Sequence, residues 1–474
     1  MKYVSTRGQA PAVSSLQALL NGLAPDGGLY VPEGALAPLA PAADYRGTML
    51  ALLARFFPEI PDQTRQAAVA SSLARFRSAE VAPLVEAAEG VHFLELFHGP
   101  TYAFKDVALT LLPHLLHAAA EQAGIARVCV LTATSGDTGS AAMEGFAGVP
   151  GTGVLVFYPQ VGTSEIQRRQ MVCCAGENVA ACAIEGNFDD AQAAVKAAFA
   201  DPALAARARA KACLLSSANS INVGRLFPQI AYYLDCARRL AQPFDVVVPT
   251  GNFGNILAAY FAYLLGAPIG RFVVASNANR VVCDFTRTGR YDARRPFQVT
   301  NSPSMDILVS SNVERILWLL TDGASGRVRA WEEQLKAQGA FALDPEACAR
   351  LQRTFAAGWA TPAETEAAIA ELWQRHHYLA DPHTAIGWKV LRELPPTGRP
   401  TVIAATASPW KFPITMLRAL TGQAPADDFA AAEALASLTG QAPALLSLRS
   451  APIRFEASTP RAQVNETIAR TFGF

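Results

Sequence analysis

Apolar residues first recur at helical spacing, three and four apart, over 14–20, 45–57 and 63–76, the period that lines one face of a helix. A glycine- and proline-rich turn, 22–32, follows the first of these stretches. Residues 1–90 read as a small helical capping domain with no chemistry of its own. From 91 the texture changes, and short runs that are apolar throughout alternate with helix-length patterns. The run 127–134 precedes a helix opening at Thr138, 153–158 one at Thr163, 179–184 one at Asp189, and 244–249 one at Phe253; 271–276 is a fifth run. Strands without a polar face must be covered on both sides, so this rhythm predicts βαβ units and parallel sheet. Residues 188–243 hold two helical patterns around a serine- and asparagine-rich loop, the expected crossing between two lobes. A mostly helical stretch with charged faces fills 302–380, a last strand spans 400–406, and 413–474 is alanine-rich and helical. No fixed-period repeat is visible. The expected architecture is α/β: two open, mostly parallel sheet lobes, 91–220 and 221–412, with a helical insertion at about 302–380. A helical cap (1–90) and a helical tail (413–474) complete it.

Composition narrows the function classes. With 474 residues, 51% hydrophobic and 17% charged, the chain can bury sizeable cores. Lys+Arg 40 balance Asp+Glu 40, so nothing draws the whole chain toward nucleic acid or an anionic membrane, and binding of an anion must be local. No run of eighteen or more apolar residues is free of charge and punctuation, which predicts no membrane span. Residues 1–8 lack an apolar core with a cleavage site, so a secretory signal is not expected. The eight cysteines include no C-x-x-C pair and lie mostly in apolar runs, which reads as reduced packing thiols. The seven histidines show no metal-ligand spacing, so no metal is expected. A cytoplasmic protein is the expectation.

Four stretches could carry chemistry. In Phe97 to Asp106 a glycine–proline break delivers Lys105, walled by Tyr102 and Phe104, to the start of an apolar run. Burial disfavours an ammonium and frees part of it as an amine able to form a Schiff base. Alone, the stretch fits a helix-start lysine with a solvated head better. Ligands of open parallel sheets sit beyond the strands' carboxyl ends, where loops feed helix N-termini. Ala133 to Ser140, with Ser135, Asp137 and Thr138, follows such a strand and fits an anion cradle or an N-cap cluster about equally. It lacks the lysine of a P-loop, so an NTPase is disfavoured. Pro249 to Asn255, with Gly251, Asn252 and Phe253, is a second glycine turn entering a helix, without the G-x-G-x-x-G of dinucleotide folds. Ser216 to Arg225 clusters Asn219, Ser220 and Asn222 with one arginine, whose planar fork suits phosphate or carboxylate. A lysine with two anion cradles and an arginine loop suggests a cofactor phosphate beside an anionic substrate, the needs of pyridoxal phosphate.

These motifs resemble the threonine synthase family of pyridoxal-phosphate enzymes, of the tryptophan-synthase-β-like fold type II. The likeness rests on FHGPTYAFKD, ATSGDTG, SANSIN with Arg225, GNFGN, and the segment Asn301 to Asp306. STRG (5–8), GLAPDGGLYVPE (22–33) and Asp381 to Thr384 extend it over nearly the whole chain, as in the longer branch of bacteria and fungi. The resemblance implies that Lys105 holds pyridoxal 5'-phosphate and that Gly251, Asn252, Phe253 and Asn255 bind its phosphate. Thr406 would face the pyridine nitrogen. Asp137, with Ser135 and Thr138, would lie beside the phenolic oxygen and the substrate carboxylate. Asn219, Ser220, Asn222 and Arg225 would receive the substrate phosphate. Two positions depart from the family pattern: Arg280 follows Asn277-Ala-Asn279 where an acid is common, and Ser408 stands where histidine is common.

The implied reaction converts O-phospho-L-homoserine and water to L-threonine and phosphate by γ-elimination and β-addition, with Lys105 as the proton carrier. A threonine hydroxyl cannot keep a pyridine nitrogen protonated as an aspartate would, so Thr406 implies a weaker electron sink suited to elimination and replacement. The implied partner is this small molecule alone, with no nucleic acid and no membrane, on a monomer or homodimer. The nearest rival is a phospho-lyase acting on O-phosphothreonine or O-phosphoserine. A nucleotide-binding oxidoreductase or a non-catalytic ligand-binding module is the rival from another class.

Overall fold

The apolar runs become the inner strands of two parallel sheets. The computed structural model describes residues 1–474 apart from Ser135, Val161, Gly162, Asn187, Ala442 and Pro443, and describes Phe188 and Asp189 by their backbone alone. In the larger sheet the spatial order is Phe355–Trp359, Ile269–Ser276, Phe244–Pro249, Thr401–Ala405, Val91–Glu95, Leu84–Ala88. Its first five strands are parallel and the last is antiparallel. The smaller sheet runs Ser458–Thr459, Val179–Ile184, Thr152–Pro159, Arg127–Ala133, Cys213–Ser217, parallel throughout. Phe244–Pro249 and Thr152–Pro159 are buried at every residue, as strands covered on both faces must be. The covering helices follow the expected starts: Asp137–Phe146, Glu165–Val172, Phe188–Ala200 and Gly254–Leu264.

The cap contains the three expected helices, Ser15–Asn21, Tyr45–Phe56 and Asp62–Leu73. It also holds an antiparallel sheet of Val13–Ser14, Lys2–Ser5 and Tyr30–Pro32 that the helical reading missed, because the strands are only two to four residues long. The cap is packed on the body: the Phe56 and Phe227 rings stack with centroids 4.0 Å apart, and Arg315 Nε donates to the Tyr30 carbonyl at 3.0 Å.

Three further departures bear on the site. Residues 84–95, divided above between cap and first lobe, form a hairpin that extends the larger sheet, so that sheet draws strands from both ends of the chain. Phe355–Trp359, inside the stretch expected to be helical, is its opposite edge. Cys213–Ser217, read as the edge of a polar loop, is a strand beside Arg127–Ala133. It therefore aims residues 218–225 at the same sheet end as Ala133. In the tail, Val464–Phe472 is helical as expected and packs on the smaller sheet, while Ser458–Thr459 adds a short strand.

Candidate active site

The lysine loop is fixed from both sides before Lys105 is reached. Thr101 donates its N–H and its hydroxyl to the two oxygens of buried Asp106, at 2.8 and 2.6 Å. Gly99 must be glycine, since a Cβ there would lie 2.4 Å from Asp106 Cβ. Arg77 binds the Gly99 carbonyl, donates to that of Pro100 at 3.0 Å, and lies 3.5 Å from the centre of the Tyr102 ring. Tyr102 itself sits in the left-handed region (φ 62°), an uncommon conformation for a bulky residue. The loop then runs antiparallel to the exit of Thr401–Ala405: Phe104 N–H donates to the Thr406 carbonyl at 2.8 Å and Ser408 N–H to the Tyr102 carbonyl at 3.0 Å. Lys105 and Thr406 are thus brought together by backbone hydrogen bonds. The Thr406 hydroxyl has no protein partner among the described residues, and Ser408 is buried in this pairing.

Lys105 Nζ donates to Asp137 Oδ2 at 3.0 Å, with 12% of the side chain exposed. Asp137 opens the helix Asp137–Phe146, where the positive end of the helix favours a carboxylate. It is the hub of the site. Lys411 Nζ meets its Oδ1 at 2.7 Å, Gln167 Nε2 donates to Oδ1 at 2.9 Å, and Ser304 Oγ donates to Oδ2 at 2.7 Å. Burial pushes the Asp137 carboxyl up, but Lys105, Lys411 and the hydrogen bonds outweigh it and hold the acid well below the usual range. Burial lowers the Lys105 amine, Asp137 opposes that, and Lys411 and Arg225 reinforce it; the net direction is down.

Behind Ser304 stands a buried dyad. Ser304 N–H donates to His383 Nε2 at 3.2 Å, which leaves Nδ1 as the donor to Asp381 Oδ1 at 2.6 Å. Asp381 also caps the helix Pro382–Glu393. Asn277 and Asn279 bind Asp306, which fixes the other end of the same loop, while Arg280 lies 4.3 Å over the Trp359 ring at the surface.

The two polar loops converge on this centre. A Cβ on Gly251 would lie 3.0 Å from the Ser304 carbonyl, so the glycine turn touches the loop whose Ser304 hydroxyl binds Asp137. Phe253 takes a left-handed conformation (φ 61°), its ring buried against Phe355, and opens the helix Gly254–Leu264 without a side-chain cap. That helix end keeps free N–H groups for an anion. Asn255 accepts from the Tyr233 hydroxyl, while its buried Nδ2 has no partner. Asn312 Nδ2 ties the loops together, donating to the Asn252 carbonyl at 3.0 Å and the Ser220 carbonyl at 3.2 Å. Arg315, fully buried, fastens Asn312 in turn and reaches the Ile221 and Tyr30 carbonyls, joining cap, loop and helix.

Arg225 is 2% exposed, binds the Ala218 carbonyl and has no acidic partner among the described residues; its Nε is buried and unpartnered. Burial brings its pKa down to about 10. Asn219 accepts from the Thr132 hydroxyl at 3.2 Å, and Ser220 and Thr138 are half-buried. Asn222 departs from the expectation. It is fully buried, donates to the Leu19 carbonyl and accepts from Gly224 N–H, so it caps the helix Val223–Leu226 and joins the loop to the cap rather than facing a ligand. Ser135 lies outside the described residues.

The orphaned donor on Asn255 and the uncapped helix end suit the phosphate of an anionic cofactor, and the lowered Lys105 amine suits its aldehyde; the residues fit pyridoxal phosphate, with Arg225 left for a second anion. Gln167, Ser304, His383 and Lys411 were not picked out by sequence reasoning. The only signal was that two of them, Ser304 and His383, fall in family-like segments to which no role was given, Asn301 to Asp306 and Asp381 to Thr384.

Comparison with known proteins agrees with this geometry. Residues 80–406 match the family model "Pyridoxal-phosphate dependent enzyme" and residues 2–73 match "Threonine synthase N terminus". Threonine synthase of Pseudomonas aeruginosa is 40% identical over 437 residues, covering 90% of this chain and 92% of that protein. The crystal structure of pyridoxal-phosphate-bound threonine synthase from Brucella melitensis superposes with a TM-score of 0.90 at 38% identity, over 99% of each chain. Yeast threonine synthase does so with 0.88 at 32%, over 100% of this chain and 98% of that one. A buried lysine at an anion-ready site, on a chain matched from end to end, places this protein in the threonine synthase family of pyridoxal-phosphate dependent enzymes.

Proposed function

We propose that this chain converts O-phospho-L-homoserine and water to L-threonine and phosphate. The observation that carries the reading is Arg225: a buried guanidinium without an acid among the described residues, in a site whose largely enclosed Lys105 has one. A site with a spare buried cation is complete only with an anion from outside. Pyridoxal phosphate, when bound, supplies the electron sink that acidifies the substrate's α and β hydrogens.

The residues then divide the work. Lys105 would hold the cofactor, and its free amine would carry protons at the substrate's Cα and Cβ, for which a lowered pKa suits it. Asp137 orients Lys105 and keeps its own charge. Arg225 receives the substrate phosphate with Ser220 and Asn219, which helps it leave from Cγ. Gly251, Asn252, Phe253 and Asn255 take the cofactor phosphate on the open helix end. Thr406 offers the ring nitrogen a neutral hydroxyl, and Thr138 lies on the substrate carboxylate side of Asp137. The cap braces the arginine loop from behind, its Leu19 and Leu20 carbonyls accepting from Asn222 and Ser216. All these residues lie on one chain, which suits a monomer as well as a homodimer. Eight free cysteines favour a reducing compartment such as the cytoplasm.

The decisive assay follows phosphate and threonine together. O-phospho-L-homoserine should give equal amounts of both, and O-phosphothreonine and O-phosphoserine should give neither keto acid nor phosphate at a comparable rate. Lys105→Ala should lose turnover and visible absorbance while staying folded; full activity in that variant would end the proposal.

A further inference from the structure

Lys411 has no part in the scheme above, yet it is the most enclosed cation of the site, with no exposed side-chain surface. It ends the short turn Pro409–Lys411, just beyond Thr406. Its Nζ has two protein partners: Asp137 Oδ1 at 2.7 Å and the Thr101 carbonyl at 2.9 Å. Asp137 therefore sits between two lysines, one on each oxygen. Burying a lysine is costly unless its charge is used. The Lys105–Asp137 pair gives up its attraction whenever Lys105 is neutral, as a reacting amine must be. A carboxylate this enclosed would then face a low-dielectric surrounding without a counter-charge.

We propose that Lys411 is a positioning residue, the standing counter-cation of Asp137, which keeps that carboxylate ionised and aimed at Lys105 while Lys105 is neutral. This rests on the reading of Lys105 as the reacting amine. A second consequence follows from the same placement. A fixed positive charge across Asp137 repels a proton on Lys105 and so favours its free-base form. The other charged groups facing the pair are Arg225, from the helix Val223–Leu226, Asp106, held by Thr101, and the Asp381–His383 dyad behind Ser304. Arg225 acts in the same sense as Lys411, and Asp106 in the opposite one.

The test reads the Lys105 amine directly. The full chain, stripped of cofactor, is acetylated briefly across a pH series, and the Lys105 peptide is quantified by mass spectrometry in the wild type, Lys411→Met, Lys411→Arg, Asp137→Asn and the double variant. Lys411→Met should move the labelling midpoint up by about one to three pH units, the size of a close charge's effect. Lys411→Arg should stay near the wild type. Asp137→Asn should lower the midpoint, and adding Lys411→Met to it should raise it again. That last comparison removes opposite charges together and serves even if Lys411→Met alone does not fold. In the holoenzyme the acid limb of kcat should move with the midpoint. Midpoints unchanged by Lys411→Met in both backgrounds, with activity lost, would reduce Lys411 to packing and overturn the proposal. A midpoint that moves while the acid limb stays put would uphold Lys411's action on Lys105 and instead refute Lys105 as the working base.

Discussion

Arg225→Met separates a residue kept for function from one kept for stability. Arg225 is 2% exposed, binds one carbonyl and leaves Nε unpartnered, with no carboxylate among the described residues to neutralise it. Burial brings its pKa from the ordinary arginine value to about 10. Each pKa unit is worth about 1.4 kcal/mol, so keeping the guanidinium charged there costs on the order of 3 kcal/mol. Methionine fills a similar volume without charge. Its gain is reduced by the lost hydrogen bond to Ala218, about 1 kcal/mol. The cofactor-free variant should therefore be more stable than the wild type by about 1–3 kcal/mol, within what is found when buried ions give way to apolar side chains. The same change should weaken substrate use, because a charge-assisted bond to phosphate is lost: about 1.5–3 kcal/mol, or roughly ten- to a hundredfold in kcat/KM. Urea unfolding of both proteins, with and without inorganic phosphate, gives the measurement. Phosphate should stabilise the wild type more than the variant, which keeps only the helix-end site at Gly251 to Asn255. A variant less stable than the wild type, with an intact phosphate response, would show that Arg225 serves the fold and that the phosphate binds elsewhere.

Two further predictions test the loop and the cap. Gly99→Ala should cost about 2–4 kcal/mol in unfolding free energy and most of the activity, because its Cβ would displace Asp106, the acid that holds Thr101; a fully active, equally stable variant would mean the loop gives way freely. Glu332, beside Glu314 and Arg7, is pushed up to about 7 by burial and by Glu314, with Arg7 pulling the other way. Its folded pKa lies above its unfolded one, so its penalty is absent below about pH 4.5 and complete above about 7. Glu332→Gln should thus stabilise the protein at pH 8 by about 1–3 kcal/mol and change little at pH 5; an equal effect at both would place the cause outside titration.

The inner strands were legible because a strand covered on both faces is apolar over most of its length, as 153–159 and 246–249 are. The edges were not. Leu84–Ala88 is half-buried along most of its length, and Phe355–Trp359 mixes alanine and glycine with its aromatics, so neither shows a clean period. Both follow or interrupt helical patterns, which won locally. The site divides the same way. Lys105, Asp137, Gly251 to Asn255 and Arg225 were visible because glycine breaks and hydroxyl clusters mark places where a chain leaves a strand to meet a ligand. Asn222 was grouped with them for its polarity, but a polar residue before a short helix is also a cap, and the structure gives it that use. Gln167, Ser304, His383 and Lys411 carry no local mark. Each matters only through an acid at position 137, and that proximity exists only in the fold.

The charges around that acid also account for the separation of the loops in sequence. Lys105, Lys411 and Arg225 are three cations enclosed with two carboxylates, Asp137 and Asp106. Asp106 is largely committed to Thr101, so Asp137 is left to balance two lysines and cannot also serve the arginine. A single rigid segment could not hold three like charges so close without strain. Here each arrives on a different support: Lys105 on the loop zipped to Thr406, Lys411 beyond the same strand, and Arg225 on the helix that Asn222 caps and Asn312 and Arg315 brace. Asp137 offsets part of the repulsion, and backbone hydrogen bonds and the stacking of Phe56 on Phe227 hold the supports in place against the rest. That leaves the excess positive charge available for an incoming phosphate, whose binding should tighten the cap through the same Arg315 contacts that reach Tyr30.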